Sequence, residues 1–319
     1  MKLATGKCSN RLIQYCWSRF LSGKHHFPRL TLKMQDIDGV QRSMSYADSG
    51  GAHSSSLAGT TVHHHFHPPP LLLLPGSAQT IDTWGLHVRP LLRSRRLIIP
   101  ELRCHGTTTT LLSSESTINQ LIKDVKVLLD ALNIVEVDLC GFSLGGRVAL
   151  AYAATGDCRI RRLSVTGVPY QRAPLGRTII RSWHNGVDNN EMVSSAWSFI
   201  LNGYSDGYVA RQHDKIDKFV QALVKSNSSE RLRDLFRCSL QEKEEDEYTV
   251  SNCAPRITCP VQVIGGELDR ISDIPSMLTL HKNITGSQFI QIPQAGHLAP
   301  FEQPSDWRDH VLGFLDKPC

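Results

Sequence analysis

The sequence lacks any long hydrophobic run. No stretch of its 319 residues approaches the roughly 20 apolar residues that a helix needs to cross a bilayer, so the sequence predicts no membrane span. Its nine cysteines show neither the paired spacing of a zinc site nor the dense framework of a small secreted domain. We therefore expect reduced thiols in an interior compartment, with no bound metal.

Acidic residues are absent from residues 1–35, which contain seven lysines and arginines. The net charge of +5 comes from this leader, and the remainder lacks the basic surplus of a nucleic-acid-binding protein. Apolar residues alternate with basic ones in the leader, which predicts a transit helix and a mitochondrial matrix protein. Arg11 and Arg19 interrupt the uncharged core that a secretory signal requires. A basic extension without an address, on a cytoplasmic protein, is the alternative.

Extremes of composition are absent as well. Hydrophobic residues make up 40% of the chain and charged residues 20%, which are ordinary values for a globular protein. A chain of this length can bury an ample core without metals or disulfides. The composition therefore predicts a single enzyme domain with a modest insertion.

A serine between two glycines, in residues 141–145, is the most informative motif of the chain. Residues 135–140 are rich in β-branched side chains and predict a strand, and residues 146–152 predict a helix. A serine at such a strand-to-helix turn has a strained backbone, and the flanking glycines relieve the crowding because they lack a Cβ. Ser143 is therefore the candidate nucleophile.

A serine hydroxyl needs a histidine to accept its proton and a carboxylate to orient that histidine. Two downstream residues qualify, because each follows an apolar strand that ends in glycine: Asp269 after residues 261–266, and His297 at the end of residues 291–297. Ligands bind open α/β sheets at the carboxyl ends of the strands, so the three side chains can converge there.

Other titratable residues compete for these roles. Glu267 lies two residues before Asp269 and is a rival acid. His105 is a rival base, but it precedes the serine and is interpreted as a structural turn residue. Asp306 and His310, four residues apart on a predicted final helix, are interpreted as surface partners and not as metal ligands.

The chain order of serine, acid and base resembles that of the α/β-hydrolase superfamily, over roughly residues 36–316. Residues 100–108 resemble a loop found in lidded members, with Glu101 and Cys104 where the family has aspartate and glycine. The resemblance implies a mostly parallel central sheet with helices on both faces, an inserted helical lid and no cofactor. Small esterases and enol-lactonases are the similar members.

The same resemblance extends to the oxyanion hole. Residues 71–77 resemble the strand and turn that provide half of it, with Pro75 in place of the usual histidine. By this resemblance, the backbone amides of Ser77 and Leu144 would stabilise the developing oxyanion.

The resemblance divides the chain into four parts. They are a basic leader (1–35), the first part of the hydrolase core (36–169), a helical lid (170–256) and the second part of the core (257–319). A helix is predicted at residues 116–132, and the lid is predicted to include helices at 191–201 and 209–224.

Two polar stretches are predicted to carry no chemistry. Residues 63–67 include four histidines, but they lack a spaced partner or thiolate and are interpreted as a solvated connection. The acidic run at residues 242–247 is interpreted as a solvated surface turn.

The residues together predict a serine hydrolase that cleaves a small carboxylic ester, lactone or thioester. Serine at position 143 excludes the alkyl-enzyme chemistry of epoxide hydrolases and haloalkane dehalogenases, which needs a carboxylate there. The sequence Gly145-Gly146-Arg147 is similar to that of menaquinone-pathway lyases, so a triad-dependent C–C or elimination lyase is one alternative. A catalytically retired member that serves as a binding or assembly subunit is the other.

Overall fold

The computed structural model describes residues 29–35, 41–50, 68–108 and 117–318, and these residues build one central sheet. Its strands are β1 (Leu30–Gln35), β2 (Gln41–Asp48), β3 (Leu71–Leu74), β4 (Leu97–Pro100), β5 (Val137–Phe142), β6 (Ile160–Thr166), β7 (Val261–Gly266) and β8 (Gln288–Ile292). They lie in the order β1-β2-β4-β3-β5-β6-β7-β8. The pairs β1–β2 and β2–β4 are antiparallel, and all other neighbouring strands are parallel. The predicted mostly parallel sheet is confirmed.

Helices connect the strands. In the described part of the chain they are α1 (Gly85–Leu92), α2 (Ile118–Ala131), α3 (Leu144–Ala153), α4 (Pro174–Asp188), α5 (Met192–Gly203), α6 (Asp206–Arg211), α7 (His213–Ser226), α8 (Ser229–Gln241), α9 (Val250–Cys253), α10 (Ile274–Lys282), α11 (Ala299–Glu302) and α12 (Pro304–Leu315). Helix α3 packs against β3, β5 and β6, α10 against β7 and β8, and α12 against β6 and β8.

The central strands are mostly apolar because they are buried inside the molecule. All four leucines of β3 are fully buried, and every residue of β5 and β7 is buried. Parallel strands covered on both faces have nearly continuous hydrophobic sequences, without the alternation of a half-exposed strand. Since β5, β6, β7 and β8 are parallel neighbours, their carboxyl ends lie at one edge of the sheet.

The first strand of the sheet begins before residue 36, although residues 1–35 were predicted to be a basic leader. Strand β1 lies within the predicted leader and pairs along its whole length with β2. Leu32 and Met34 are buried and Lys33 between them is exposed. This alternation of period two is a strand signal, and the high basic content of the segment obscured it.

The helices α4 to α9 lie between β6 and β7 and are called the helical insertion below. They fall within the range 170–256 that the sequence assigned to a lid. The helix expected at 191–201 is α5, whereas the one expected at 209–224 is two helices, α6 and α7, with Gln212 between them. Helix α2, predicted at residues 116–132, is capped by the Thr117 side chain, and residue 116 lies outside the described residues.

Membrane-spanning helices, disulfides and metal-binding clusters are absent from the residues that the structure describes. None of the helices there combines the length and apolar character that a membrane crossing requires. No disulfide joins the cysteines of these ranges, and no group of three or more potential ligands in them could hold a metal ion. The leader as far as residue 28 and the histidine-rich stretch at 63–67 lie outside, so the mitochondrial address stays a prediction.

Candidate active site

Ser143 lies at the turn between β5 and α3, at the carboxyl edge of the sheet. Its φ of 50° and ψ of −113° place a non-glycine residue in a strained backbone conformation. Its amide donates to the Thr166 carbonyl oxygen on the neighbouring strand at 2.8 Å, which fixes the turn against the sheet. The predicted strand, serine turn and helix are therefore present.

Close backbone contacts explain the glycines around Ser143. A Cβ on Gly145 would lie 2.1 Å from the Leu74 carbonyl oxygen and 2.5 Å from that of Pro75. A Cβ on Gly141 would lie 2.6 Å from the Gly145 carbonyl oxygen. Only glycine lets α3 begin this close to the loop after β3.

Gly145→Ala is expected to lower the free energy of unfolding by at least about 2 kcal/mol, because the new methyl group must displace backbone atoms and not a flexible side chain. Gly313→Ala in α12 is the matched control. A Cβ there meets nothing within 4 Å, so alanine should stabilise by about 0.5–1 kcal/mol. Urea denaturation measures both changes, and equal stabilities for the two variants would contradict the close packing at Gly145.

The three predicted side chains meet in the order that proton transfer requires. His297 Nε2 lies 3.0 Å from Ser143 Oγ, and His297 Nδ1 lies 2.8 Å from Asp269 Oδ2. Both distances lie within the range for a nucleophile hydrogen-bonded to its base and a base hydrogen-bonded to its carboxylate. The Asp269 side chain is fully buried and His297 is 3% exposed.

Further hydrogen bonds fix the Asp269 carboxylate. Its Oδ1 accepts from the amides of Ile271 and Ser272, each at 2.8 Å, which leaves Oδ2 for the imidazole. The rival acid, Glu267, is exposed, and its Oε2 accepts from the Gln294 amide at 2.8 Å. Asp269, and not Glu267, is therefore the carboxylate bonded to His297.

The histidines at positions 105 and 310 lie in the environments that the sequence predicted. His105 is buried with Nδ1 2.7 Å from the Arg103 carbonyl oxygen, so it is a turn residue. Burial lowers the pKa of its imidazole, which favours the neutral ring. His310 and Asp306 form an exposed pair at 3.3 Å on α12, as expected for surface partners.

The loop that carries His297 is held by the helical insertion. One oxygen of the Glu302 carboxylate accepts from the Gly296 amide at 2.8 Å and from the Ser205 amide at 3.1 Å. The other accepts from the Ser205 hydroxyl. The Leu298 amide donates to the Gly203 carbonyl oxygen at 2.9 Å. On one side of the histidine, Gly296 is thus linked to Ser205 through Glu302, and on the other side Leu298 is bonded to Gly203, the last residue of α5.

The loop after β3 is braced although Pro75 replaces the family histidine. The Gly76 amide donates to the Gln79 side-chain oxygen at 2.8 Å, and the Asn227 side chain donates to the Ala78 carbonyl oxygen at 2.9 Å. Gln79 is buried, so its bond to the loop is shielded from water. These two supports could not be predicted from the motif, because neither residue belongs to it.

A small cavity adjoins the nucleophile. Its volume is about 30 Å³, and Ser77, Ser143 and Leu144 are among its lining residues. The two residues expected to supply the oxyanion amides therefore border the same space as the serine hydroxyl. Trp183 of the insertion also lines it, so an aromatic ring from α4 limits the room for a substrate.

Two arginines line this cavity, and the sequence did not predict them as site residues. Arg147 follows Ser143 by one turn of α3, and Arg172 lies between β6 and α4. Both pair with Glu242, Arg147 through a direct hydrogen bond and Arg172 at 3.8 Å. Burial, and then the neighbouring Arg147, lower the pKa of Arg172 to about 9, which leaves it positively charged at neutral pH.

Glu242 belongs to the acidic run that was interpreted as a solvated turn, and for this residue that interpretation is wrong. Its side chain is 23% exposed, and it contacts the arginines because it directly follows α8, which packs beside them. A larger cavity of about 510 Å³ lies on the same side of the molecule and is bordered by Leu144, Arg147 and Glu242.

Known proteins share this arrangement of elements. Residues 71–309 match the sequence model of the Alpha/beta hydrolase family, a range that contains strands β3 to β8, the serine turn and the acid and base positions. The chain belongs to the alpha/beta hydrolase family. The superfamily resemblance found in the sequence is thereby confirmed.

Characterised relatives of this alpha/beta hydrolase are hydrolases. Pyrrolizixenacetamide deacetylase of Xenorhabdus hominickii is 26% identical over 243 residues, which are 75% of this chain and 87% of the relative. The 3-oxoadipate enol-lactonase 1 of Acinetobacter baylyi is 24% identical over 235 residues, 73% of this chain and 83% of the relative. The crystal structure of MGS-M2, an alpha/beta hydrolase from a Medee basin deep-sea metagenome library, has a TM-score of 0.75 at 20% identity and covers 87% of this chain and 96% of its own.

Proposed function

We propose that this alpha/beta hydrolase is a serine hydrolase that cleaves a small carboxylic ester, lactone or thioester through an acyl-enzyme. The hydrogen-bonded series Asp269–His297–Ser143 carries the proposal, because it supplies a nucleophile, a proton acceptor and an orienting carboxylate in contact. A binding subunit without catalysis has no need for these three groups at these distances.

In the proposed acylation step, His297 Nε2 accepts the proton of Ser143 as Oγ attacks the carbonyl carbon. Asp269 accepts a hydrogen bond from Nδ1, which fixes the tautomer and stabilises the imidazolium that forms. The amides of Leu144 and Ser77 are assigned to the oxyanion, and such a donor contributes about 3 kcal/mol to transition-state stabilisation.

Acylation ends when the imidazolium of His297 gives its proton to the leaving alcohol, enol or thiol. In deacylation the neutral ring then accepts a proton from water. The resulting hydroxide attacks the acyl-enzyme, and the acid is released when the proton returns to Ser143. Water is the second substrate, and the products are the acid and the free alcohol, enol or thiol.

The room beside Ser143 supports a compact group next to the scissile bond. The cavity there is about 30 Å³ with Trp183 on its wall, and the cavity of about 510 Å³ that shares Leu144 and Arg147 with it has space for the rest of a substrate. The relatives support the same class of substrate, since one is named a deacetylase and another an enol-lactonase.

Labelling with a fluorophosphonate probe tests the proposal, because the probe reacts covalently with an activated serine. We expect labelling of the intact protein and none of Ser143→Ala. Ser182→Ala, which removes an exposed hydroxyl from α4, is the matched control and should be labelled normally. A folded protein that the probe does not label would instead favour a catalytically retired binding or assembly subunit.

A panel of 4-nitrophenyl esters, lactones and thioesters of graded chain length then identifies the bond type. Turnover that requires Ser143 and declines with acyl length supports a small-acyl hydrolase. Elimination without incorporation of water, followed with 18O-labelled water and mass spectrometry, would identify a lyase reaction and contradict hydrolysis.

A further inference from the structure

Two positive charges and one negative charge lie beside the nucleophile. Arg147 and Arg172 line the same cavity as Ser143, and both pair with Glu242. We propose that the two arginines form a subsite for a carboxylate on the acyl part of the substrate, which makes this enzyme a hydrolase of anionic acyl compounds such as dicarboxylic half-esters. This inference rests on the proposed serine hydrolase function and names its substrate class.

The position of the arginines relative to Ser143 supports this role. The Arg147 amide donates to the Ser143 carbonyl oxygen at 3.0 Å in the first turn of α3, so its side chain begins one turn from the nucleophile. Arg172 approaches from the chain after β6. Its Nη1 donates to the Ser239 carbonyl oxygen and its Nη2 to the Ser239 hydroxyl, each at 2.8 Å. These bonds hold the second guanidinium in place at the cavity wall.

Because both arginines are largely buried, each guanidinium needs a nearby anion to compensate its charge. The Arg147 side chain is 7% exposed and that of Arg172 is 13% exposed. A cation removed from water is costly unless an anion compensates it, and a single carboxylate serves both guanidinium groups. A substrate carboxylate would therefore gain charge-assisted hydrogen bonds in a partly dehydrated site, whereas a neutral acyl chain would not.

Glu242 behaves as an internal occupant of this subsite. It is more exposed than either arginine and lies directly after the last residue of α8, so its carboxylate can return to water when a substrate anion replaces it. The larger cavity of about 510 Å³ shares Arg147 and Glu242 with this site. The remainder of a substrate held by the arginines therefore has adjoining space.

A matched pair of esters tests the subsite. Mono-4-nitrophenyl adipate and 4-nitrophenyl hexanoate have the same acyl length and leaving group, and differ in the terminal carboxylate. We expect kcat/KM to be at least about tenfold higher for the charged ester, as one charge-assisted hydrogen bond would give. An equal or higher value for the neutral ester would overturn the inference and leave the hydrolase function intact.

Variants locate the effect. Arg172→Gln should reduce the ratio of kcat/KM between the charged and the neutral ester by about 10- to 100-fold. Arg181→Gln removes the same charge from an exposed position on α4 and should leave the ratio at its original value. If both variants change the ratio equally, overall charge and not a subsite explains the preference.

Glu242→Gln tests the subsite without changing either arginine. Removal of the internal carboxylate should lower KM for the charged ester more than KM for the neutral one. A structural role for Glu242 alone would change the two KM values in parallel, and that outcome would contradict the displacement of Glu242 by substrate.

A binding measurement tests the anion subsite separately from the hydrolase function. If neither ester is hydrolysed and no probe labels Ser143, the melting temperature in the presence of adipate reports the subsite without catalysis. A rise in Tm that disappears in Arg172→Gln would retain the anion subsite on a non-catalytic protein. An unchanged Tm for the native chain would overturn it.

Discussion

His297→Ala is expected to lower kcat for ester hydrolysis by about 10⁴- to 10⁶-fold, because no other group would accept the Ser143 proton. The imidazole is bonded to both Ser143 and Asp269, so its loss breaks the series at its centre. Stopped-flow or long-incubation assays with a 4-nitrophenyl ester measure the loss, and thermal melting shows whether the variant folds.

His310→Ala is the control for this substitution. That histidine pairs with Asp306 on the exposed side of α12, where a surface ion pair contributes about 0–1 kcal/mol to stability. Its activity should stay within a few-fold of the original. Normal turnover by a folded His297→Ala variant would remove this histidine as the base and would leave the distances at Ser143 without a catalytic meaning.

Asp269→Asn should lower kcat by about 10⁴-fold while the fold persists, since the amide has nearly the same shape as the carboxylate. Its oxygen can still accept from the Ile271 and Ser272 amides. The amide NH2 then faces the imidazole Nδ1, which favours the tautomer with its proton on Nε2. That tautomer cannot accept the proton of Ser143.

Glu267→Gln is the matched control for the acid. The Glu267 carboxylate accepts a single described hydrogen bond, from the Gln294 amide, and the glutamine oxygen can accept it equally well. We expect kcat to stay within a few-fold of the original. The opposite pattern, with activity lost in Glu267→Gln and kept in Asp269→Asn, would show that the wrong carboxylate has been assigned.

The geometry around Ser143 could be predicted because it follows from topology. Ser143, Asp269 and His297 each follow a strand of a parallel sheet, and the carboxyl ends of such strands share an edge. Glycine spacing identified the turn, and chain order placed the acid and the base downstream of the serine. The structure then distinguishes Asp269, which is bonded to His297, from its rival Glu267. No knowledge of helix packing was needed for these inferences.

The cluster of two arginines and one glutamate could not be predicted, since its three members come from separate places in the chain. Arg147 is in α3, Arg172 lies before α4, and their shared partner Glu242 follows α8. Only the packing of the helical insertion brings them together, and a sequence with alternating charges gives no indication of which arginine pairs with which glutamate. The support from Asn227 of the insertion escaped prediction for the same reason, whereas the support from Gln79 is local and escaped because that residue lies outside the motif.

Strand β1 was missed for a different reason. Its residues were grouped with a basic leader by composition, although Leu32 and Met34 alternate with exposed polar neighbours. Composition averages over a window and therefore conceals a short periodic signal at the window's end. The pairing of β1 with β2 shows that the period was the better guide.

Outward rotation of the insertion around Ser205 cannot leave the histidine loop undisturbed, because the Glu302 carboxylate is bonded to both. Either those bonds break and release a buried carboxylate whose pKa is raised by desolvation, or Gly296 moves with the insertion. In the second case the adjacent imidazole withdraws from the Ser143 hydroxyl. Product escape on that side and proton abstraction would then require different conformations, whereas rupture of the Glu302 bonds would leave the imidazole in place.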